Sequence, residues 1–113
     1  MASDGKYANC KVAGDGKLSI EGSSKSNKFK IMDMSAAGVR IGTDTDLCEG
    51  MAVKLKIRLI GNIVDVFMNV NGKISKSIEN GYEIEFTDLP DDEKNEIDQL
   101  MRNACNISEE AGS

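Results

Sequence analysis

The chain has 113 residues, of which 40% are apolar and 29% charged, so it is long enough for one globular domain with one hydrophobic core. Its net charge of −5 argues against long nucleic acid as a partner, because duplex binding needs a broad basic face. The absence of histidine removes the commonest general base and metal ligand, so no enzyme, metal or cofactor is expected.

The cellular setting is predicted from three features that the sequence lacks. No apolar run approaches the length of a transmembrane helix, which predicts no membrane insertion. The first residues lack the apolar core of a secretory signal, so export is not expected. The cysteines, Cys10, Cys48 and Cys105, have no paired spacing, which favours free thiols in a reducing compartment. Together these features predict a cytoplasmic protein.

Strand patterns dominate the chain as far as residue 89. Residues 1–16 are interpreted as an N-terminal arm, and a first strand is predicted at about 17–21 in a segment rich in glycine and serine. Five further segments alternate apolar and polar residues: 28–31, 39–41, 53–59, 64–70 and 82–86. Because successive strand side chains point to opposite faces, each segment would bury one face and wet the other. This pattern is typical of antiparallel sheet.

The shared parity of the apolar positions within these runs predicts the buried face of the sheet. The predicted inner residues are Val53, Leu55, Ile57, Val64, Val66, Met68, Ile84 and Phe86. Lys54, Lys56 and Arg58 fall on the opposite face. A slip of one residue would reverse the two sets, so the parity is a strong constraint on the register.

Three dipeptides punctuate the strands. Gly61-Asn62 and Asn80-Gly81 predict tight hairpin turns, where glycine and asparagine tolerate a positive φ. Asn71-Gly72 is open to two interpretations, a third hairpin or a glycine bend within one long strand.

Helical spacing occurs near the end of the chain, where a helix is predicted over 90–105. Its apolar stripe comprises Ile97, Leu100, Met101 and Ala104. Asp88 is the predicted N-cap and Pro90 fits the first turn, where a missing N–H is tolerated. Residues 106–113 are interpreted as a polar tail.

Catalytic chemistry finds little support in the residue types. The sequence has no histidine that could act as the base of a cysteine nucleophile, so the cysteines are interpreted as small apolar residues. A small enzyme on a β-barrel is therefore the weaker alternative to a binding domain.

One polar constellation separates two strand runs. Asp33 and Ser35 stand two apart, and Gly38 follows directly before the next run. Such residues can turn the chain through side-chain-to-backbone hydrogen bonds, and they can also present polar groups to a ligand. The residues by themselves leave both interpretations open.

Asp33-x-Ser35-x-x-Gly38, followed by Val39-Arg40-Ile41, resembles the [D/N]xSxxG signature of PilZ domains, receptors for the bacterial second messenger cyclic di-GMP. The resemblance continues over 50–55, 72–74 and 81–89, and covers roughly residues 17–104. It implies a six-stranded antiparallel β-barrel over 17–89 with one C-terminal α-helix, in a single domain.

The resemblance also implies a function and a set of site residues. A non-enzymatic receptor or adaptor would act in bacterial signalling such as motility, pili or surface growth. Asp33 and Ser35 would bond a guanine, and Gly38 would permit close backbone approach. Lys6, Lys11 and Arg40 would face the phosphates of cyclic di-GMP.

The N-terminal arm departs from the family pattern. Ligand-binding PilZ domains usually carry RxxxR about twenty residues before the signature Asp, whereas this chain has Lys6-Tyr7-Ala8-Asn9-Cys10-Lys11. Lysine meets a phosphate as a point charge but lacks the planar fork of arginine. Weakened binding of cyclic di-GMP is therefore predicted. The alternative is a degenerate PilZ adaptor that acts only through contacts with an unidentified protein partner.

Overall fold

The structure, a computed structural model, describes the backbone of residues 10–60 and 65–112. It describes the side chains of this part of the chain up to residue 103. These residues form a closed antiparallel barrel of six strands, in the order β1-β2-β3-β6-β5-β4, and a C-terminal helix. The elements are β1 (Gly14–Ile20), β2 (Ser26–Met34), β3 (Gly38–Gly42), β4 (Ala52–Leu59), β5 (Val66–Ile78), β6 (Gly81–Thr87) and α1 (Asp91–Gly112). The predicted fold class is confirmed.

The predicted parity holds along β4. Val53, Leu55 and Ile57 are each 1% exposed, whereas Lys54 and Lys56 between them are exposed. Fully burying an aliphatic side chain of this size contributes about 1.5–3 kcal/mol, so the register is fixed by the core.

The other predicted inner residues also face the core, but they differ in how completely they are buried. Ile84 and Phe86 of β6 are buried, while Val66 and Met68 at the start of β5 are only partly buried against the core. Val64 lies outside the described residues. The start of β5 therefore closes the barrel less completely than its middle, where Val70 and Ile74 are buried.

Asn71-Gly72 is a bend within one strand rather than a hairpin. Gly72 is buried and pairs with Val53 of β4 on one side and Phe86 of β6 on the other. A Cβ atom at Gly72 would lie 2.6 Å from Cγ2 of Ile84, so the inner face has no room for a side chain there.

The turn between β5 and β6 is centred one residue earlier than predicted. Ile78 pairs with Gly81, so the two loop residues are Glu79 and Asn80, and Asn80 has a φ of 64°. Asparagine tolerates this left-handed conformation better than most residues. The predicted turn at Gly61-Asn62 lies outside the described residues.

Strand β1 begins at Gly14, three residues before the predicted start. Its first residues carry no apolar alternation that could mark them as strand. They are held in the sheet because β1 pairs with both β2 and β4 along its length.

Helix α1 covers the barrel with Ile97 and Met101, which are 6% and 0% exposed, and with the partly buried Leu100. The surroundings of Ala104 lie outside the described residues. None of the described helices is long and apolar enough to cross a membrane.

Both predicted ends of the helix need correction. The helix begins at Asp91, where the N–H of Lys94 donates to the carbonyl of Pro90 at 3.0 Å. Asp88 has a φ of 55° and precedes the helix, so it is not the N-cap. The helix also continues through the predicted tail to Gly112, because no proline or glycine interrupts 106–111 and Glu and Ala favour helix.

Candidate functional site

The site signalled by Asp33, Ser35 and Gly38 lies where β2 passes into β3. The register of these strands shifts between Ile31 and Asp33, so Met32 is an extra residue and its side chain is 45% exposed. Such a β-bulge re-aims the side chains that follow it. After the bulge, Asp33 stands directly opposite Arg40.

Asp33 and Arg40 form a two-pronged ion pair across the strands. Nε of Arg40 donates to Oδ1 of Asp33 at 3.1 Å, and Nη2 lies 2.7 Å from Oδ2. The Asp33 side chain is 11% exposed and the Arg40 side chain 45% exposed. The buried carboxylate is therefore satisfied by a guanidinium that still reaches the surface.

The field around Arg40 keeps it charged. The hydrogen bond that Arg40 donates to Asp33 and then the charge of Asp33 raise the pKa of the Arg40 guanidinium above its ordinary value, and the charge of Glu83 adds to this. Two of its five N–H groups face Asp33, so three donors remain for other partners. Arg40 is thus a permanently charged guanidinium that Asp33 fixes in position at the protein surface.

Ser35 and Gly38 shape the turn itself. The Ser35 hydroxyl accepts a hydrogen bond from the N–H of Ala37 at 3.1 Å, and the Ser35 N–H donates to the carbonyl of Gly38 at 2.9 Å. A Cβ at Gly38 would lie 2.3 Å from the carbonyl oxygen of Ile84. The close approach that this glycine permits is therefore the approach of β3 to β6.

The described part of the chain begins beside the turn, at Cys10. Cys10 and Met34 exchange backbone hydrogen bonds of 2.9 and 3.0 Å, which places Cys10 opposite the residue between Asp33 and Ser35. Lys11 follows and is exposed. The other predicted arm cation, Lys6, lies outside the described residues.

The expectation of free thiols is wrong for Cys10, which is half of a disulfide, and so its support for a reducing compartment falls away. Cys48 is a free, exposed thiol, and the surroundings of Cys105 lie outside the described residues. The spacing of the cysteines gave no signal of a bond, because pairing depends on where the fold places them.

Two site neighbours were missed by the sequence reasoning. Arg40 stands opposite Glu83 of β6, and Glu83 stands opposite Lys76 of β5. With Asp33 these residues form a row of alternating charge over four strands. The outward parity of Arg40 and Glu83 was visible in the sequence, whereas Asp33 and Lys76 each follow a register shift, and the alignment of the row depends on three strand pairs.

Comparison with known proteins assigns the chain to a family. A family model for the PilZ domain matches residues 10–103. The chain belongs to the PilZ domain family. No curated protein matches it.

Two solved structures share this PilZ fold. The PilZ domain with c-di-GMP of YcgR from Escherichia coli superposes with a TM-score of 0.69 at 12% identity, covering 95% of each chain. The PilZ domain of CeSA from a cellulose-synthesizing bacterium superposes with a TM-score of 0.61 at 11% sequence identity, and the match covers 86% of this chain and 97% of that one.

Family membership settles the class of function. PilZ domains form a family of cyclic di-GMP-binding signalling domains and are receptors, not enzymes, so the prediction of a non-enzymatic domain is confirmed. The family's small molecule is a signalling ligand rather than a cofactor. Among the described residues, no group of acidic or cysteine side chains could hold a metal ion.

Proposed function

We propose that this PilZ domain binds cyclic di-GMP weakly through Asp33, Ser35 and Arg40, and passes the signal to a protein partner in a bacterial process such as motility or pilus function. The observation that carries the proposal is the ion pair in which Asp33 holds Arg40 at the surface with donors to spare. A positioned guanidinium suits both the phosphates and the guanine edges of the ligand.

The roles of the two residues differ in this proposal. Both oxygens of Asp33 face Arg40, so Asp33 acts as the residue that positions Arg40. Arg40 contacts the ligand. Ser35 donates its hydroxyl hydrogen, because its oxygen already accepts from Ala37.

Weak affinity follows from the arm. Lys11 is exposed beside the turn, and no arginine precedes Arg40 in the sequence. A bidentate arginine contact to guanine is worth roughly 1–3 kcal/mol, so the loss of two costs about 2–6 kcal/mol. A loss of that size takes a ~1 μM site towards millimolar.

A second candidate is an adaptor that binds no nucleotide. The same ion pair favours it, because the Asp33 carboxylate is buried and has both oxygens engaged. In that case the surface formed by the turn and the arm would contact a protein directly.

The test is calorimetry with cyclic di-GMP on three proteins. The wild type is expected to bind weakly, Arg40→Gln to lose binding, and Arg58→Gln to keep it. Arg58 is the matched control, since it forms a similar two-pronged pair with Asp15 across β4 and β1, at 3.1 and 2.7 Å. Tight binding that ignores salt would contradict the weakened site. No heat with millimolar ligand would favour the adaptor, and equal losses in both variants would remove the special role of Arg40.

A further inference from the structure

Three lysines stand in one row on the outer face of the barrel. Lys17 of β1 is the Cα partner of Lys28 in β2 and of Lys56 in β4. Neighbouring strands lie about 4.8 Å apart, so the backbones of these three lysines are about 4.8 Å from one strand to the next in a line across the sheet. All three side chains are exposed.

This arrangement is unfavourable for the isolated domain. Like charges directly opposite each other destabilise a sheet. Lys30 and Lys54 extend the same face, one on each flank, and all five lysines lack an ion-pair partner within residues 10–60 and 65–103. An anion bound at this row would offset the repulsion.

A concavity adjoins this row. Its volume is about 740 Å³, and the loop after β3 and the turn between β5 and β6 form part of its wall. The charged side chains that line it are Lys17, Lys28, Lys30, Arg58, Asp15 and Asp44. Four are cationic and two acidic, which leaves a net positive lining.

The acid nearest the lysines is already neutralised. Asp15 accepts from Nε and Nη2 of Arg58 at 3.1 and 2.7 Å. Asp44 is exposed in the loop after β3. Among the described residues, the three lysines and Asp44 are therefore the unpaired charged residues that line the concavity, and the cations outnumber the acid by three to one.

We propose that this concavity is a second anion site, separate from Asp33 and Arg40, which takes a compact molecule carrying several phosphoryl groups. Its size is that of a small-molecule site rather than of an extended interface. Lysine serves phosphate as a mobile point charge, whereas flat carboxylate or base recognition favours arginine. The net charge of −5 also disfavours an extended polyanion, which would meet the acidic remainder of the surface.

The two sites lie at opposite ends of the β2–β3 pair. Lys30 pairs with Gly42 at the end that lines the concavity, and Met34 pairs with Val39 at the end that carries the signature turn. Occupation of one site is thus observable separately from occupation of the other.

Inorganic tripolyphosphate is the probe for this site, titrated into the 15N-labelled domain at low and moderate salt. Amide shifts are expected at Lys17, Lys28 and Lys30 and not at Ser35 or Ala37. The double variant Lys17→Gln/Lys28→Gln should weaken binding by about tenfold or more, since each charged hydrogen bond is worth roughly 1.5–3 kcal/mol.

The matched control is Lys73→Gln/Lys76→Gln, which removes the same charge from exposed positions of β5 and should leave the affinity within about twofold. An equal loss in both double variants would show diffuse charge attraction and overturn the proposal. The proposal is also overturned if a single-stranded oligonucleotide or an acidic peptide displaces bound tripolyphosphate at a concentration below that of tripolyphosphate itself. The surface would then bind a macromolecule. Unchanged urea midpoints, or higher ones, in the Lys17→Gln/Lys28→Gln variant would establish that lost binding is not lost folding.

Discussion

Cys10 and Met34 hydrogen-bond to each other in both directions through their backbones, at 2.9 and 3.0 Å. This pair joins Cys10, the first residue that the structure describes, to the middle of the signature turn, since Met34 stands between Asp33 and Ser35. Lys11 follows Cys10 directly, so this exposed cation lies beside the turn.

Rebuilding the arginine arm should strengthen nucleotide binding. With Tyr7→Arg and Lys11→Arg together, each new fork can contribute roughly 1–3 kcal/mol if it reaches a guanine edge. Calorimetry with cyclic di-GMP should therefore show an affinity gain of about tenfold or more. The control is Lys25→Arg with Lys73→Arg, which adds two guanidinium groups at exposed positions that line neither the turn nor the concavity. A rebuilt arm that gains nothing, in a domain that remains folded, would favour the adaptor.

Gly38→Ala should destabilise the barrel as well as any binding. The new Cβ would lie 2.3 Å from the carbonyl oxygen of Ile84, and overpacking of this kind typically costs about 1–3 kcal/mol. Gly42→Ala, at the other end of β3, is the control, because its Cβ would make an ordinary 3.6 Å contact with the oxygen of Asn80. Urea melts of both variants measure the difference, and equal stability would contradict a tight β3–β6 approach.

Truncating the apolar residues of the helix to alanine should lower the free energy of unfolding in proportion to how deeply each residue is buried. Met101 is 0% exposed, so Met101→Ala should cost about 2–5 kcal/mol in the free energy of unfolding. Leu100 is only partly buried and its truncation should cost less. Gln99→Ala, at an exposed position, serves as the neutral reference. If Met101→Ala unfolded at the same urea concentration as Gln99→Ala, the helix would be an independent appendage.

Removing the central lysine of the row should stabilise the ligand-free domain. Lys17 opposes both Lys28 and Lys56, and a cross-strand charge pair is worth roughly 0.2–1 kcal/mol. Lys17→Gln should therefore raise the urea midpoint, and the gain should shrink as salt screens the repulsion. Lys73→Gln should not raise it, because Lys73 stands opposite Glu85. A lower midpoint for Lys17→Gln would show that the row is not under strain.

The sequence by itself determined which side of β4 faces the core. Alternation at Val53, Leu55 and Ile57 required no knowledge of partners, because the period of two is a property of a single strand. The signature Asp33-x-Ser35-x-x-Gly38 was equally legible, since its residues are close in the chain. Local signals thus gave the class of fold and located the turn.

Long elements with mixed signals were decided by their neighbours. Asn71-Gly72 favoured a hairpin and a bend equally, and it became a bend because β4 and β6 pair with the strand on both sides of Gly72. The helix, by contrast, continued to Gly112 because none of its own residues at 106–111 breaks a helix, although no apolar stripe marked its continuation.

Only the tertiary structure decided which charges meet. The bulge at Met32 sets Asp33 opposite Arg40, and closure of the barrel sets Lys17 between Lys28 and Lys56. Lys17 and Lys56 are far apart in sequence, and no local pattern encodes their alignment. Cross-strand neighbours are fixed by the register of the whole sheet, so a site built from them exists only once the barrel has closed.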